Sequence, residues 1–214
     1  MSVTVREISS KADKRKFVRM MWDIYGSAPN WVPPLEMDRM KLIDEKKNPF
    51  YSHADTKWFV AERDGKIVGR IGAIVNHTYN ELQNEKAGFF GFFECINDLS
   101  VARPLFGAAE TFLRSRGMNV AYGPANPSSN DEYGLLIEGF ERPPVMLMTY
   151  NPPYYASLIE QNGYTKSNDL YAYLLSQKTS RSEKLERVTK ALQARHNIII
   201  RPLDTKRFNE EVAL

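Results

Sequence analysis

The sequence predicts an α/β (α+β) domain: a mixed, mostly antiparallel sheet flanked by helices. Three observations carry that reading. A hairpin pattern is unmistakable in Trp58-Phe59-Val60-Ala61-Glu62-Arg63, Asp64-Gly65 and Lys66 to Val75, because Asp-Gly suits a two-residue connection between twisted strands. Residues 99–116 follow with a helical apolar period, Val101, Leu105, Ala109, Phe112 and Leu113 sharing one face. Short apolar segments and helices then alternate, so strands that first pair by hairpin are later separated by helices.

The elements follow in order. Val3 to Ile8 reads as a strand, and Ser10 with Asp13 resembles a capping box opening a helix with Phe17, Met21, Ile24 and Tyr25 on one stripe. Ala28 to Pro34 breaks it, and Pro33-Pro34 suits the start of a second helix over Leu35 to Lys46. Asn48-Pro49-Phe50-Tyr51 makes a turn before the hairpin. Gly88 to Ile96, rich in phenylalanine, is the next strand. In the long helix Arg114 and Arg116 occupy the last turn and Gly117 ends it. Met118 to Tyr122 is a short strand, Gly123 to Pro144 a polar loop, Val145 to Tyr150 an apolar strand, and Tyr154 to Gln161 a helix begun by Pro152-Pro153. Leu170 to Leu175 is the expected final strand.

The start of the chain returns at its end. Val3-Thr4-Val5-Arg6-Glu7-Ile8 and Ile198-Ile199-Ile200-Arg201-Pro202-Leu203 are both β-branched runs followed by a polar capping segment, basic residues and a phenylalanine (Phe17, Phe208). An opening strand cannot bury its apolar side alone, so the second copy reads as the start of a repeated unit. The expected division is residues 1–176 as one domain, 177–196 as a connector helix capped by Ser180 with Glu183, and 197–214 as the truncated start of a second domain. A chance likeness between short apolar strands is the competing explanation.

Composition narrows the classes. The 214 residues are 43% hydrophobic, enough for a full core. No run of about 18 apolar residues exists, so no membrane-spanning helix is expected, and the N-terminus lacks a signal-peptide core. The single cysteine, Cys95, excludes an intrachain disulfide framework and fits a reducing cytoplasm. Three scattered histidines and one cysteine make no metal constellation. A net charge of +3, from 29 basic and 26 acidic residues, is too mild for nucleic acid. The basic clusters at Lys11 to Lys16 and Lys178 to Arg195 read as solvated helix faces; peripheral contact with anionic lipid at the inner face of the membrane is the alternative.

The hairpin WFVAERDGKIVGRIGAIVN, the helix end FLRSRGMNVAYGP and the segment LIEQNGYTKSNDLYAYLL together resemble the GNAT superfamily of acyl-CoA-dependent N-acyltransferases over nearly all of residues 3–176. The stretches NPFYSHADTKWFVAERDGKIVGRIGAIVN, GFFGFFECIND and GPANPSSNDEYGLLIEGFERPPVMLMTYNPPYYASLIEQNGY are more specifically similar to its bacterial ceramide-synthase-like branch, whose members carry two GNAT-like halves. The resemblance implies a transferase of lipid metabolism: acyl-CoA as cosubstrate, a small-molecule or lipid amine (a sphingoid base or its 3-keto precursor) as acceptor, no metal, and a second GNAT-like domain in tandem. A catalytically silent GNAT-like domain used for binding or packing is the other reading.

Glu94, near the end of the phenylalanine-rich strand, stands where many GNAT enzymes place a general base. Desolvation among Phe89, Phe90, Phe92 and Phe93 would raise its pKa toward that of a useful base; otherwise it is a strand carboxylate paired with an arginine or facing solvent. The resemblance aligns the family's general-acid tyrosine with Ile159, leaving Tyr155 and Tyr154 as substitutes or as packing aromatics. His53 matches the narrower family's pattern and has a suitable pKa, though a lone histidine is also a common structural residue. The loop holding Asn126, Ser128, Ser129, Asn130, Asp131 and Glu132, with Tyr150-Asn151, reads either as turn-forming residues or as a polar grip on substrate. The family's phosphate loop, Arg/Gln-x-x-Gly-x-Gly/Ala, places its glycines near Ser100 and Ala102, with Arg103 the local cation. The glycines are absent and Asp98 would repel phosphate. Acyl-CoA is therefore expected mainly on the missing second half.

Overall fold

The computed structural model describes residues 2–176, 183–196 and 201–213, in two compact units, Met1–Asn168 and Asp169–Leu214. The first holds a five-stranded sheet of order β1 (Thr4–Ile8), β2 (Ala54–Arg63), β3 (Lys66–Asn76), β4 (Ala87–Cys95) and β5 (Val120–Tyr122). All neighbours run antiparallel except β4 and β5, which pair in parallel only from Ala87↔Val120 to Phe89↔Tyr122. Helix α1 (Lys11–Tyr25) begins at Ser10, whose hydroxyl accepts from the Asp13 N–H at 3.0 Å. Helix α2 (Glu36–Leu42) is shorter than the predicted 35–46, because Asp44 opens a turn by accepting from the Lys46 N–H. The β2–β3 hairpin turns through Asp64 and Gly65, both at positive φ (52° and 74°), the geometry that matches strand twist. A short helix missed in the sequence, α3 (His77–Gln83), is capped by Asn76.

The long helix α4 (Leu99–Ser115) ends as expected, with Gly117 at φ 79° and the Met118 N–H returned to the Leu113 carbonyl. It lies against β2, β3 and β4, burying Leu105 and Phe106 almost completely. Each such side chain contributes about 1.5–3 kcal/mol of hydrophobic stabilisation. Phe90, Phe93 and Cys95 join that core, whereas Phe17, Trp58, Phe89 and Phe92 form a second core beneath α1. The mostly antiparallel α/β architecture expected from the sequence is the one observed.

Beyond β5 the chain departs from the expected pattern. The polar loop contains a small two-stranded ribbon, β6 (Ala125–Asn126) and β7 (Glu132–Tyr133). The strand predicted at Val145–Tyr150 is not formed: Pro143-Pro144 precede it, Leu147 sits at φ 63°, and Val145 to Met148 are exposed. At Leu147 the left-handed backbone leaves the extended conformation that a regular ladder needs. Helix α5 (Tyr155–Glu160) follows, inside the predicted range.

In the second unit the strand predicted at Leu170–Leu175 is likewise absent; the segment has no regular secondary structure and exposes Leu170, Tyr171, Tyr173, Leu174 and Leu175. The connector is helical over α6 (Glu183–His196), while Lys178 and its Ser180 cap lie outside the described residues. So does Ile198-Ile199-Ile200, the strand of the expected repeat. The capping segment after it is seen: Asp204 accepts from the Lys206 N–H ahead of α7 (Phe208–Val212). Among the described residues no helix is long and apolar enough to cross a membrane.

Candidate active site

The site begins with an irregularity in β4. Gly72 pairs with Gly91 and Arg70 with Glu94, so Phe92 and Phe93 together oppose Ile71. One extra residue reverses the alternation of side chains beyond it. Phe89 and Phe92 therefore share the α1 core and Phe90 and Phe93 the α4 core, three residues apart instead of two. Glu94 is carried to the same face as Arg70, its direct cross-strand partner. Without the bulge its carboxylate would point toward α4.

Glu94 is 6% exposed and its carboxylate is fully partnered. Oε2 accepts from the Tyr25 hydroxyl at 2.5 Å and the Tyr155 hydroxyl at 2.6 Å, and Oε1 from Arg70 at 3.3 Å. Burial pushes its pKa above the ordinary carboxylate value, against the opposing pull of Arg70 and the three hydrogen bonds. Burial, then the nearby Glu94 charge, raises both tyrosine hydroxyls well above their usual pKa. Arg70 donates to the Phe17 carbonyl of α1 at 2.5 Å and stacks over the Phe17 ring at 4.7 Å. Tyr155 is held from behind by the Cys95 N–H, which donates to its hydroxyl at 2.9 Å. The α5 helix thus fixes the tyrosine that bonds the carboxylate.

This cluster forms one wall of a cavity of about 50 Å³. Asn126, Glu132, Tyr150 and Asn151 line it with Glu94 and Tyr155, so six of the nine candidate catalytic and substrate-contact residues converge there. Asn151, 5% exposed, is spent on the backbone: it accepts from the Leu136 N–H at 2.7 Å and donates to the Leu136 carbonyl at 3.1 Å. Glu132 is paired with Arg39 of α2. The other three candidates lie elsewhere. His53 ends a 3₁₀ turn, its Nδ1 2.9 Å from the Phe50 carbonyl. Asn130 is exposed in a turn closed by the Ser128 hydroxyl. Tyr154 donates to the Cys95 carbonyl at 2.8 Å, with its own pKa pushed up to about 12 by burial.

Tyr25, Arg39 and Arg70 escaped the sequence reading. For Arg70 there was a signal: it is the one charge inside the apolar run Ile67 to Val75. Tyr25 was assigned to the apolar stripe of α1, which it also serves.

The positions matched to a phosphate loop do not form one. Asp98 caps α4, accepting from the Ser100 N–H at 2.8 Å and from its hydroxyl at 2.7 Å, and pairs with Arg63 at 2.6 Å. The carboxylate is held down at about 2 by Arg63 and Ser100. Ala102 is wholly buried and Arg103 is exposed. The helix N-terminus that would meet a coenzyme's phosphates already holds an anion of the chain itself, so these residues do not fit that group. Among the described residues there is also no cluster suited to a metal ion.

No family model matches the chain. It is 36% identical over 212 residues to the bacterial ceramide synthase of Caulobacter vibrioides (strain NA1000 / CB15N), covering 98% of this chain and 55% of that protein. It is 38% identical over 212 residues to protein YghO of Escherichia coli (strain K12), covering 98% and 53%. The chain thus spans about half the length of these curated relatives. Among solved structures, a tandem GNAT protein from the clavulanic acid biosynthesis pathway superposes with a TM-score of 0.52 at 12% identity, over 78% of this chain and 45% of that one. AAC(6')-Iy in complex with a bisubstrate analogue, CoA-S-monomethyl-acetylneamine, gives 0.50 at 13%, over 82% and 99%. At such identities the likeness is one of fold.

Proposed function

We propose that this chain, which has the GNAT fold and ceramide-synthase-like relatives, is the amine-side half of an acyl-CoA-dependent N-acyltransferase. The observation that carries the reading is the buried Glu94, its pKa raised, in a cavity wall shared with Glu132 and Tyr150. An amine attacks only with its lone pair free, so its ammonium form must first lose a proton. Glu94 is the acceptor for that proton, and its raised pKa narrows the gap between base and ammonium. Tyr25, Tyr155 and Arg70 keep the carboxylate aimed, and Glu132, held by Arg39 at the same cavity, offers a second carboxylate that the incoming cation would share with that arginine. The name of the Caulobacter relative, a ceramide synthase, suggests a sphingoid base as acceptor. The exposed Val145 to Met148, which lead directly into the cavity-lining Thr149 and Tyr150, suit its alkyl chain.

Because Asp98 occupies the α4 N-terminus, acyl-CoA is assigned to a second GNAT-like half. The intact protein is placed in the cytoplasm by this reading; on α1, Lys14 is paired with Glu45 and Arg15 and Arg19 with Glu36, which weakens the case for contact with anionic lipid. The same Asp98 cap favours one alternative, a catalytically silent domain. Calorimetric titration separates the two. Under the first reading a long-chain amino alcohol binds this chain, and Glu132→Gln weakens it about tenfold, as loss of a charged partner should. Octanoyl-CoA does not bind. No amine binding at all would leave a silent domain used for packing, and amine binding with turnover of the intact protein unaffected by Glu94→Gln would leave a silent domain used for binding. Tight octanoyl-CoA binding would overturn the division between halves.

A further inference from the structure

An acyl-transfer centre needs hydrogen-bond donors, usually backbone N–H groups, fixed where the carbonyl oxygen becomes negative. The β4 bulge creates one such donor at the cavity. Phe92, at φ 51°, turns its N–H out of the β-ladder, and the residue lines the same wall as Glu94. That N–H is already taken. It donates to Asn126 Oδ1 of β6 at 2.5 Å.

The surrounding backbone is shaped to this contact. Pairing between β4 and β5 ends at Phe89↔Tyr122, and the space that would open past it is filled by residues 123–126. A side chain on Gly91 would overlap the Ala125 carbonyl, and one on Gly123 would overlap the Phe90 carbonyl, so both glycines exist where two backbones touch. Ala125 is 1% exposed and packed in the α1 core. From the far side β7 backs β6, with the Gly134 N–H bonded to the Pro124 carbonyl and Glu132 clasped by Arg39.

We propose that β6 is a built-in plug: the Asn126 carboxamide and the Ala125 carbonyl stand where an acyl group would have to lie to reach the Phe92 N–H. The cavity therefore admits an amine beside Glu94 and no thioester. The acyl carbonyl is polarised by donors outside this chain. This consequence rests on the amine-side reading, whereas the plug is a property of the unliganded protein.

Amide exchange at Phe92, followed by NMR on phenylalanine-labelled protein, tests it. Asn126→Ala removes the acceptor and raises Phe92 exchange about tenfold or more, the scale of one lost hydrogen bond to a buried donor. Asn126→Asp keeps an acceptor oxygen and preserves protection. Gly91→Ala, which must push β6 away, exposes the same amide. Millimolar octanoyl-CoA leaves the Phe92 resonance unmoved in the wild type and in Asn126→Ala, since the Ala125 backbone still fills the space. A Phe92 resonance that shifts with octanoyl-CoA would overturn the plug and make Asn126 a gate. Unchanged exchange in Asn126→Ala would overturn the contact itself. Failure of the amine to bind would sink the amine-side reading while leaving the Phe92 measurement intact.

Discussion

Residues 54–116 and residues 123–151 are held in place by different physics. The first stretch forms β2, β3, β4 and α4, and its position depends on many apolar contacts, among them the wholly buried Val60, Ile71, Ala73, Val101 and Leu105. The second has little regular structure and depends on single directional bonds: Asn126 to Phe92, Asn151 to Leu136, Ser128 to Asp131 and Glu132 to Arg39. Burial is non-directional and shared among neighbours, so no one contact decides where a residue sits. A lone hydrogen bond in a loop has no such redundancy. The first stretch should therefore lose stability when altered and the second should lose geometry.

Leu105→Ala is the strongest challenge to the first half of that contrast. It removes a fully buried side chain beneath the sheet and should cost about 2–5 kcal/mol, read from denaturant unfolding. Acyl transfer by the intact protein, measured where the variant is still folded, should barely change. A comparable loss of turnover would mean that the α4 core positions the site directly.

Glu94→Gln inverts the expectation. The amide preserves shape but cannot take a proton, so turnover of the intact protein should fall about a hundredfold or more with the fold retained. The pH profile gives a second readout. A base works only when deprotonated, so activity rises with pH through the pKa of Glu94, which burial holds above the ordinary carboxylate range. An acid limb at the ordinary value would remove Glu94 from the mechanism.

Asn151→Ala sharpens the comparison from the loop side. It removes both partners of the half-buried Leu136 N–H and carbonyl, at a cost of about 1 kcal/mol. Because the same side chain sets the path of the cavity wall at Leu135, amine affinity should fall along with stability. A variant that is less stable yet binds amine normally would show that the wall is fixed by other contacts.

The contrast also explains what the sequence disclosed. Where apolar residues recur at a period of two or of 3.6, as in the hairpin and α4, the elements were legible to within a few residues. Helix α3 was missed because His77 to Gln83 carries no buried residue and hence no stripe. Val145 to Tyr150 is apolar like a strand, but one left-handed leucine and the two prolines before it govern its path. The structure brings Glu94 together with Asn126 and Tyr150 at one cavity. Arg70 and Tyr25 were not expected, because strict alternation sends Glu94 to the other face. A bulge is set by pairing with the neighbouring strand, and no periodicity within β4 announces it.

Asp98 marks the point where the two kinds of stabilisation meet, since it belongs to the ordered stretch yet acts through charge. With its pKa held at about 2 by Arg63 and Ser100, it favours the folded state once ionised. A depressed carboxylate contributes stability above its unfolded pKa of about 3.9, and that contribution is lost as pH falls through the folded value. Asp98→Asn should therefore melt slightly below the wild type at pH 6, with the gap closing between about pH 4 and 2. The effect is the smallest of the set because the pair is partly open to solvent, with 24% of the Arg63 and 30% of the Asp98 side chain exposed, and added salt should shrink it further. If the gap survives at pH 2, the cap works through its neutral hydrogen bonds to Ser100. Charge would then contribute little to the stability of the cap, while Asp98, ionised at neutral pH, still opposes a phosphate at the α4 N-terminus.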